Sequence, residues 1–255
     1  MKNKTVIITG GSSGMGKAMA QRFANEGANV VITGRNLEKL TMTVDEIRKS
    51  ATGKIEYIQM DVRNIEHVQR MVDETLQAFD SIDYLVNNAA GNFIVNAEDL
   101  TINGWNAVVE IVLNGTFYCS QTVGKYWIKE NIKGSIINMV ATYAWDAGVG
   151  VIHNAAAKAG VLSLTRTLAV EWGSKYGIRV NAIAPGPIER TGGAEKLMLS
   201  SEMAERTRQS VPLKRFGTPE EIAGLANFLL SDEAEYINGE VITMDGGQWL
   251  NQLPF

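Results

Sequence analysis

The sequence predicts one α/β domain, a single doubly wound parallel sheet of about seven strands with helices on both faces. Short apolar runs alternate with longer helical patterns almost to the end of the chain. Strands separated by helices of that length pair in parallel through right-handed crossovers. The strand runs also lack strict polar alternation, as expected where helices cover both faces of a sheet. Finally, the 255 residues are 45% hydrophobic, enough for a sizeable core, and no repeat or low-complexity linker divides them.

The β-branched run Val6–Thr9 is the first strand, and it stops at Thr9-Gly10-x-x-x-Gly14-x-Gly16. A helix follows over Lys17–Asn25, with Ala18, Met19, Ala20, Phe23 and Ala24 on one apolar stripe. Strand, glycine turn and helix in that order form a phosphate cradle: the glycines let the backbone approach an anion, and the free N–H groups of the helix start face it. Gly10, Ser12, Ser13, Gly14, Met15 and Gly16 are therefore the first candidate cofactor-binding residues.

The second strand, Asn29–Thr33, runs into Gly34-Arg35-Asn36. A carboxylate at this place accepts hydrogen bonds from the ribose 2′-hydroxyl of NAD and would repel a 2′-phosphate. Arg35 can instead pair with that phosphate and stack on the adenine, which favours NADP(H). Helix Leu37–Lys49 leads to strand Ile55–Met60, after which Asp61 and Val62 would flank the adenine. Helix Ile65–Phe79 leads to strand Tyr84–Val86 and the small-residue run Asn87-Asn88-Ala89-Ala90-Gly91, where Asn88 and Ala89 permit close backbone approach. Helices Gly104–Lys129 and Ala155–Lys175 bracket strand Ser135–Val140; strand Val180–Ile183, helix Pro219–Ser231 and strand Val241–Met244 complete the order. The segment at about 185–215, rich in proline and glycine at its start, breaks the rhythm at the carboxyl end of a strand, where such sheets place substrate lids.

Composition excludes several classes. The net charge of −4 shows no basic footprint for nucleic acid, and no apolar run is long enough to span a bilayer. The lone Cys119 rules out an intrachain disulfide framework and reads as a packing residue. His67 and His153 lack metal-ligand spacing and read as structural. Met1-Lys2-Asn3-Lys4 runs straight into the first strand and leaves no room for a signal peptide, and Leu253-Pro254-Phe255 is no peroxisomal address, so the cytoplasm is expected.

Over the whole chain, Thr9-Gly10-x-x-x-Gly14-x-Gly16, Asn87-Asn88-Ala89-Ala90-Gly91 and Pro185-Gly186 resemble the short-chain dehydrogenase/reductase family. The resemblance implies a Rossmann fold, nicotinamide chemistry and a homotetramer packed through the two long helices. It also makes Pro185, Gly186 and Ile188 cofactor-binding positions. In most of that family a tyrosine stands four residues before a lysine that holds the nicotinamide ribose and lowers the tyrosine pKa. Lys158 is present, but Asn154 stands where the tyrosine would be. The usual serine position is Ala141 and the usual asparagine position is Val112. An ordinary alcohol dehydrogenase is excluded. A non-catalytic NADP(H) scaffold competes with an enzyme whose polar groups have moved.

The second reading has positive support in Asn92-Phe93 after the fourth strand and Tyr143 after the fifth. With Val112-Leu113-Asn114-Gly115-Thr116 and Pro185-Gly186-Pro187-Ile188, these segments are similar to the 2,4-dienoyl-CoA reductases, a branch that lacks the usual tyrosine. The resemblance implies catalytic roles for Asn92, Tyr143 and Lys158, with Asn154 in place of an assisting serine. It further implies an acyl-CoA substrate touching Arg63, Phe93, Thr101 and Lys196, and a part in unsaturated fatty acid oxidation. Arg190 departs from the branch, standing where a threonine is usual, with Thr191 one place late.

Overall fold

The computed structural model describes residues 1–192 and 200–251. Its centre is one sheet of seven parallel strands in the order β3-β2-β1-β4-β5-β6-β7. The strands are β1 (Thr5–Thr9), β2 (Asn29–Gly34), β3 (Ile55–Gln59), β4 (Tyr84–Asn87), β5 (Ser135–Met139), β6 (Arg179–Pro185) and β7 (Val241–Met244). The order reverses between β1 and β4, so their carboxyl ends diverge there and open the crevice in which such sheets bind ligands.

Side chains alternate across the sheet with the period of two that strands impose. Val6 and Ile8 of β1 face a core shared with Phe23, Ile222 and Leu229, whereas Ile7 faces a second core with Leu85, Val123 and Trp127. On the first face lie α1 (Gly14–Asn25), α2 (Leu37–Arg48) and the late helix Pro219–Leu230; on the second lie α3 (Ile65–Phe79) and the long helices. Each such side chain taken from water stabilises the fold by roughly 1.5–3 kcal/mol. Buried Cys119 packs in the second core, and its thiol is pushed up to about 12 by burial.

The first long helix departs from the expected continuous run over Gly104–Lys129. It begins as α4 (Ile102–Val109), widens into a π-turn over Glu110–Asn114 and continues as α5 (Gly115–Glu130). The Thr116 hydroxyl donates to the Val112 carbonyl at 2.7 Å, the kind of side-chain bond that disturbs a helical ladder. Gly115 lies so close to Val62 that an added Cβ would come within 2.6 Å of it. The second long helix, α6, spans Ile152–Tyr176. After β6 come α7 (Ser201–Ser210) and α8 (Pro219–Leu230); the region between β6 and α7 includes residues 193–199, outside the described residues, and Lys196 falls there.

Among the described residues, five helices begin on a side-chain cap: Asn36 on α2, Asn64 on α3, Thr101 on α4, Ser200 on α7 and Thr218 on α8. Each such cap typically contributes ~1 kcal/mol. Helices α1 and α6 begin without one, at Ser13 and Val151. Both start at the carboxyl edge of the sheet, the first directly after β1 and the second after β5.

Candidate active site

The cofactor side of the crevice is built from backbone. Gly10 and Gly14 adopt φ of +65° and +52°, a left-handed conformation that favours glycine. A Cβ on Gly16 would lie 2.4 Å from the Gly10 carbonyl oxygen, so the helix can start this close to the strand only as glycine. The first turn of α1 holds no acidic residue and Ser13 makes no side-chain cap, so its N–H groups remain available to a diphosphate. These features fit the phosphates of a dinucleotide.

Asn88 has a role the sequence reading did not resolve. Its side-chain amide donates to the Thr9 and Gly10 carbonyls, both at 3.0 Å, and the Asn88 and Ala89 N–H groups donate to the Thr9 hydroxyl at 3.0 Å. Asn88 thus braces the glycine turn from the end of β4. Arg35 is exposed and makes no ion pair among the described residues, leaving its guanidinium available to a phosphate. Asp61 and Val62 follow β3 as expected, but with different surroundings. The buried Val62 side chain packs on α5, while Asp61 is gripped by the Arg63 fork at 2.6–3.1 Å, which holds its carboxyl below the usual range. His67 accepts a hydrogen bond from the Asp61 N–H at 3.3 Å. Arg63 therefore has a carboxylate partner, with Glu66 and Glu110 lining the same recess, and a coenzyme phosphate would share Arg63 with Asp61.

At the end of β6, a Cβ on Gly186 would lie 2.5 Å from Cβ of Asp245, so Pro185-Gly186 passes flush against the turn that follows β7. The Ile188 side chain is buried in the core, so its backbone is the part that remains for a cofactor. Arg190 takes a φ of +53° and pairs with Glu189 and Glu220. That left-handed residue turns Thr191 back over the glycine loop, where its methyl group would lie 3.3 Å from a Cβ on Gly14. The one-residue offset is thereby absorbed, and Thr191 lies against the cradle.

The opposite side of the crevice is built from side chains on loops and on α6. Lys158 is buried, and its ammonium donates to the carbonyl of Met139, the last residue of β5. Burial pulls its pKa down to about 8, so it remains mainly charged at pH 7. Tyr143 lies four residues beyond Met139, in a short 3-10 turn, and makes no hydrogen bond among the described residues. Burial pushes its hydroxyl up to about 12, with no lysine charge drawing it back. Such a phenol donates a hydrogen bond throughout the physiological range and is a poor proton shuttle. Asn154 is buried one helical turn before Lys158, with its Oδ1 unpartnered among the described residues.

Asn92 and Phe93 sit on an irregular loop. The Phe93 N–H donates to Asn92 Oδ1 at 3.0 Å, which leaves the Asn92 amide hydrogens free to donate. The loop is tied to the segment before α6 by the Val95 N–H to the Gly150 carbonyl at 3.0 Å, and Phe93 packs on the His153 ring with centroids 4.5 Å apart. Thr101 caps α4 through the Gly104 N–H at 3.1 Å; a Cβ on Gly104 would lie 3.0 Å from the Phe93 ring, so Phe93 and Thr101 do share a neighbourhood. Val112 is fully buried in the π-turn and presents no polar group there.

Behind these residues runs a buried network absent from the sequence reading. Asn87 donates to Ser120 and Asn138, and Asn138 donates to Thr165, each at 2.9 Å. It ties β4 and β5 to α5 and α6 just beneath the crevice. The signal was present: Asn138 is an amide inside the apolar run Ser135-Ile136-Ile137-Asn138-Met139. No group of three metal-ligating side chains occurs among the described residues, and no helix there is long and apolar enough to cross a membrane.

Comparison with known proteins agrees with this geometry. A family model described as "Enoyl-(Acyl carrier protein) reductase" matches residues 10–248. The chain is 66% identical over the full length of both proteins to a Bacillus subtilis (strain 168) protein named "Probable 2,4-dienoyl-CoA reductase, (2E)-enoyl-CoA-producing". It is 42% identical, over 97% of this chain and 81% of the relative, to a Caenorhabditis elegans protein named "Probable 2,4-dienoyl-CoA reductase 3, (3E)-enoyl-CoA-producing". A crystal structure of a short chain dehydrogenase from Bacillus anthracis is similar with a TM-score of 0.91 and 67% identity, over 99% of each chain. The fold, the glycine cradle and these likenesses agree: the chain is an oxidoreductase of the short-chain dehydrogenase/reductase family and belongs to its 2,4-dienoyl-CoA reductase branch.

Proposed function

We propose that the protein reduces 2,4-dienoyl-CoA thioesters with NADPH, a step that serves the oxidation of unsaturated fatty acids. One observation carries the reading. Asn154 replaces the tyrosine of a carbonyl reductase, while Tyr143 holds a protonated hydroxyl near the end of β5, where Lys158 is anchored. The relatives' names support the substrate class. Arg35, exposed and without an ion pair among the described residues, supports NADP(H) over NAD(H).

When bound, NADPH supplies the hydride. The acyl group accepts it at the δ-carbon, and negative charge moves to the thioester oxygen. The site must hold that oxyanion while a proton, drawn from solvent water, is delivered to carbon; it need not make an alcohol. The free Asn92 amide hydrogens and the Tyr143 hydroxyl are donors for the oxyanion, each typically worth ~2.7–4 kcal/mol of barrier. Lys158 uses one ammonium hydrogen on Met139 and keeps two for the nicotinamide ribose. A proton on the γ-carbon gives a 2-enoyl product and one on the α-carbon a 3-enoyl product. We take the former, following the name of the 66% identical relative. Phe117 on α5 and Val170 on α6 are exposed, which supports a homotetramer packed through these helices.

The test is the absorbance of NADPH mixed with purified protein and, in turn, 2,4-decadienoyl-CoA, 2-decenoyl-CoA and simple ketones. The reading expects oxidation with the dienoyl thioester alone, yielding 2-decenoyl-CoA. Turnover of ketones without the dienoyl thioester would make the protein a carbonyl reductase, and binding without oxidation would make it a scaffold.

A further inference from the structure

The first turn of α6 contains three buried polar atoms without hydrogen-bond partners among the described residues: both ring nitrogens of His153 and Oδ1 of Asn154. His153 has no exposed surface at all. A neutral imidazole carries one N–H and one bare nitrogen, so this ring has both an unmet donor and an unmet acceptor. Such groups cost free energy when buried, and each calls for an explanation. A phenylalanine of nearly the same shape would fill the place without that cost.

The surroundings indicate what the ring could meet. Helix α6 begins at Val151 without a side-chain cap and without an acidic residue in its first turn, so its positive end adds to the unmet donor. No ion pair involves His153 among the described residues, and burial pushes its pKa below the ordinary value, so it is neutral. A neutral donor at a helix start suits a carbonyl oxygen. Phe93 packs against the ring at 4.5 Å and 39° and is itself 38% exposed. Phe93 directly follows Asn92 and belongs to a loop without regular structure. Asn154 and Lys158 continue the same helix one and five residues on.

We infer that His153 is a substrate-binding residue whose ring N–H donates to a carbonyl oxygen of the acyl-CoA once the Phe93 ring moves off it. The inference rests on the acyl-CoA reading above. Acyl-CoA offers such an oxygen in the thioester and in the amides of its pantetheine arm. A contact to the thioester strengthens as charge develops and enters kcat, whereas a contact to a pantetheine amide is uniform and enters KM.

The experiment compares wild type with His153→Phe, which sets a somewhat larger apolar ring in the same place and removes both nitrogens, and with His153→Gln, which keeps a donor and an acceptor. Melting temperature, NADPH affinity and the kinetics of 2,4-decadienoyl-CoA reduction are measured for each. His153→Phe should melt no lower than wild type and bind NADPH within about twofold, while kcat/KM falls about tenfold, as loss of one buried donor predicts. His153→Gln should retain more activity than His153→Phe despite a lower melting temperature. A fall in kcat assigns the thioester oxygen, and a rise in KM alone assigns a pantetheine amide. Wild-type kcat and KM in His153→Phe, or in His153→Leu should the first variant not fold, would overturn the inference and leave His153 a packing residue. Absence of dienoyl-CoA reduction in wild type would instead remove the functional reading, and this inference with it.

Discussion

The two walls of the crevice are built by opposite means. On the glycine-turn wall, main-chain N–H groups at the start of α1 are left without a side-chain cap, glycines bring strand and helix close, and Asn88 pins the turn through the Thr9 and Gly10 carbonyls. Its backbone bends are set by residue type, so little is left to adjust. On the opposite wall, proposed to meet the substrate, side chains of Asn92, Tyr143, His153 and Asn154 come from loops and a helix start, and several have polar atoms without partners among the described residues. A backbone cradle can serve any dinucleotide, whereas side chains on loops can be exchanged one at a time. That difference explains how the family's glycine turn persists here while three of its polar catalytic positions have become Asn154, Ala141 and Val112.

The comparison breaks most sharply at the cradle. In Gly16→Ala the new methyl group meets the Gly10 carbonyl oxygen at 2.4 Å and the Asn88 amide at 2.6 Å, and neither can retreat without unmaking the turn. Overpacking of this kind costs roughly 1–3 kcal/mol. Calorimetry should therefore show a melting temperature lower by several degrees, and titration should show NADPH and NADH affinity falling together, by about a hundredfold or more if the turn opens. Undisturbed binding of both dinucleotides would mean the cradle is not where the structure puts it.

A smaller effect separates the two dinucleotides. Arg35→Ala should weaken NADPH binding by about 1.5–3 kcal/mol, the worth of a charged hydrogen bond, and leave NADH nearly unchanged. Fluorescence titration with each reads this directly. An equal loss for both would remove the 2′-phosphate assignment while leaving the rest of the cradle intact.

The same contrast governs what could be read from sequence. The parallel sheet of about seven strands and the glycine turn were legible because each has a periodicity or a residue type that few other structures tolerate. Helix α1 nonetheless starts at Gly14, three residues before the expected Lys17, and Arg35 is exposed. The π-turn at Glu110–Asn114 was not legible: it lies where Gly115 is pressed on Val62, a contact between residues far apart in sequence. Nor was the Arg63–Asp61 fork, which left Arg63 appearing free for a coenzyme phosphate. His153 read as an ordinary core histidine, and only three-dimensional packing shows that nothing among the described residues satisfies its nitrogens. Spacing reports which residues share an edge of the sheet; it does not report which polar atoms there remain unpaired.

The central claim is that Tyr143 donates to the oxyanion in place of the missing tyrosine, and the most direct measurement is steady-state reduction of 2,4-decadienoyl-CoA by Tyr143→Phe. The substitution keeps the ring and deletes the hydroxyl, which its pKa of about 12 keeps protonated and able to donate. The account predicts a kcat lower by roughly one to three powers of ten, as loss of an oxyanion donor causes, with NADPH affinity nearly intact. Undiminished kcat in the Tyr143→Phe protein would contradict it.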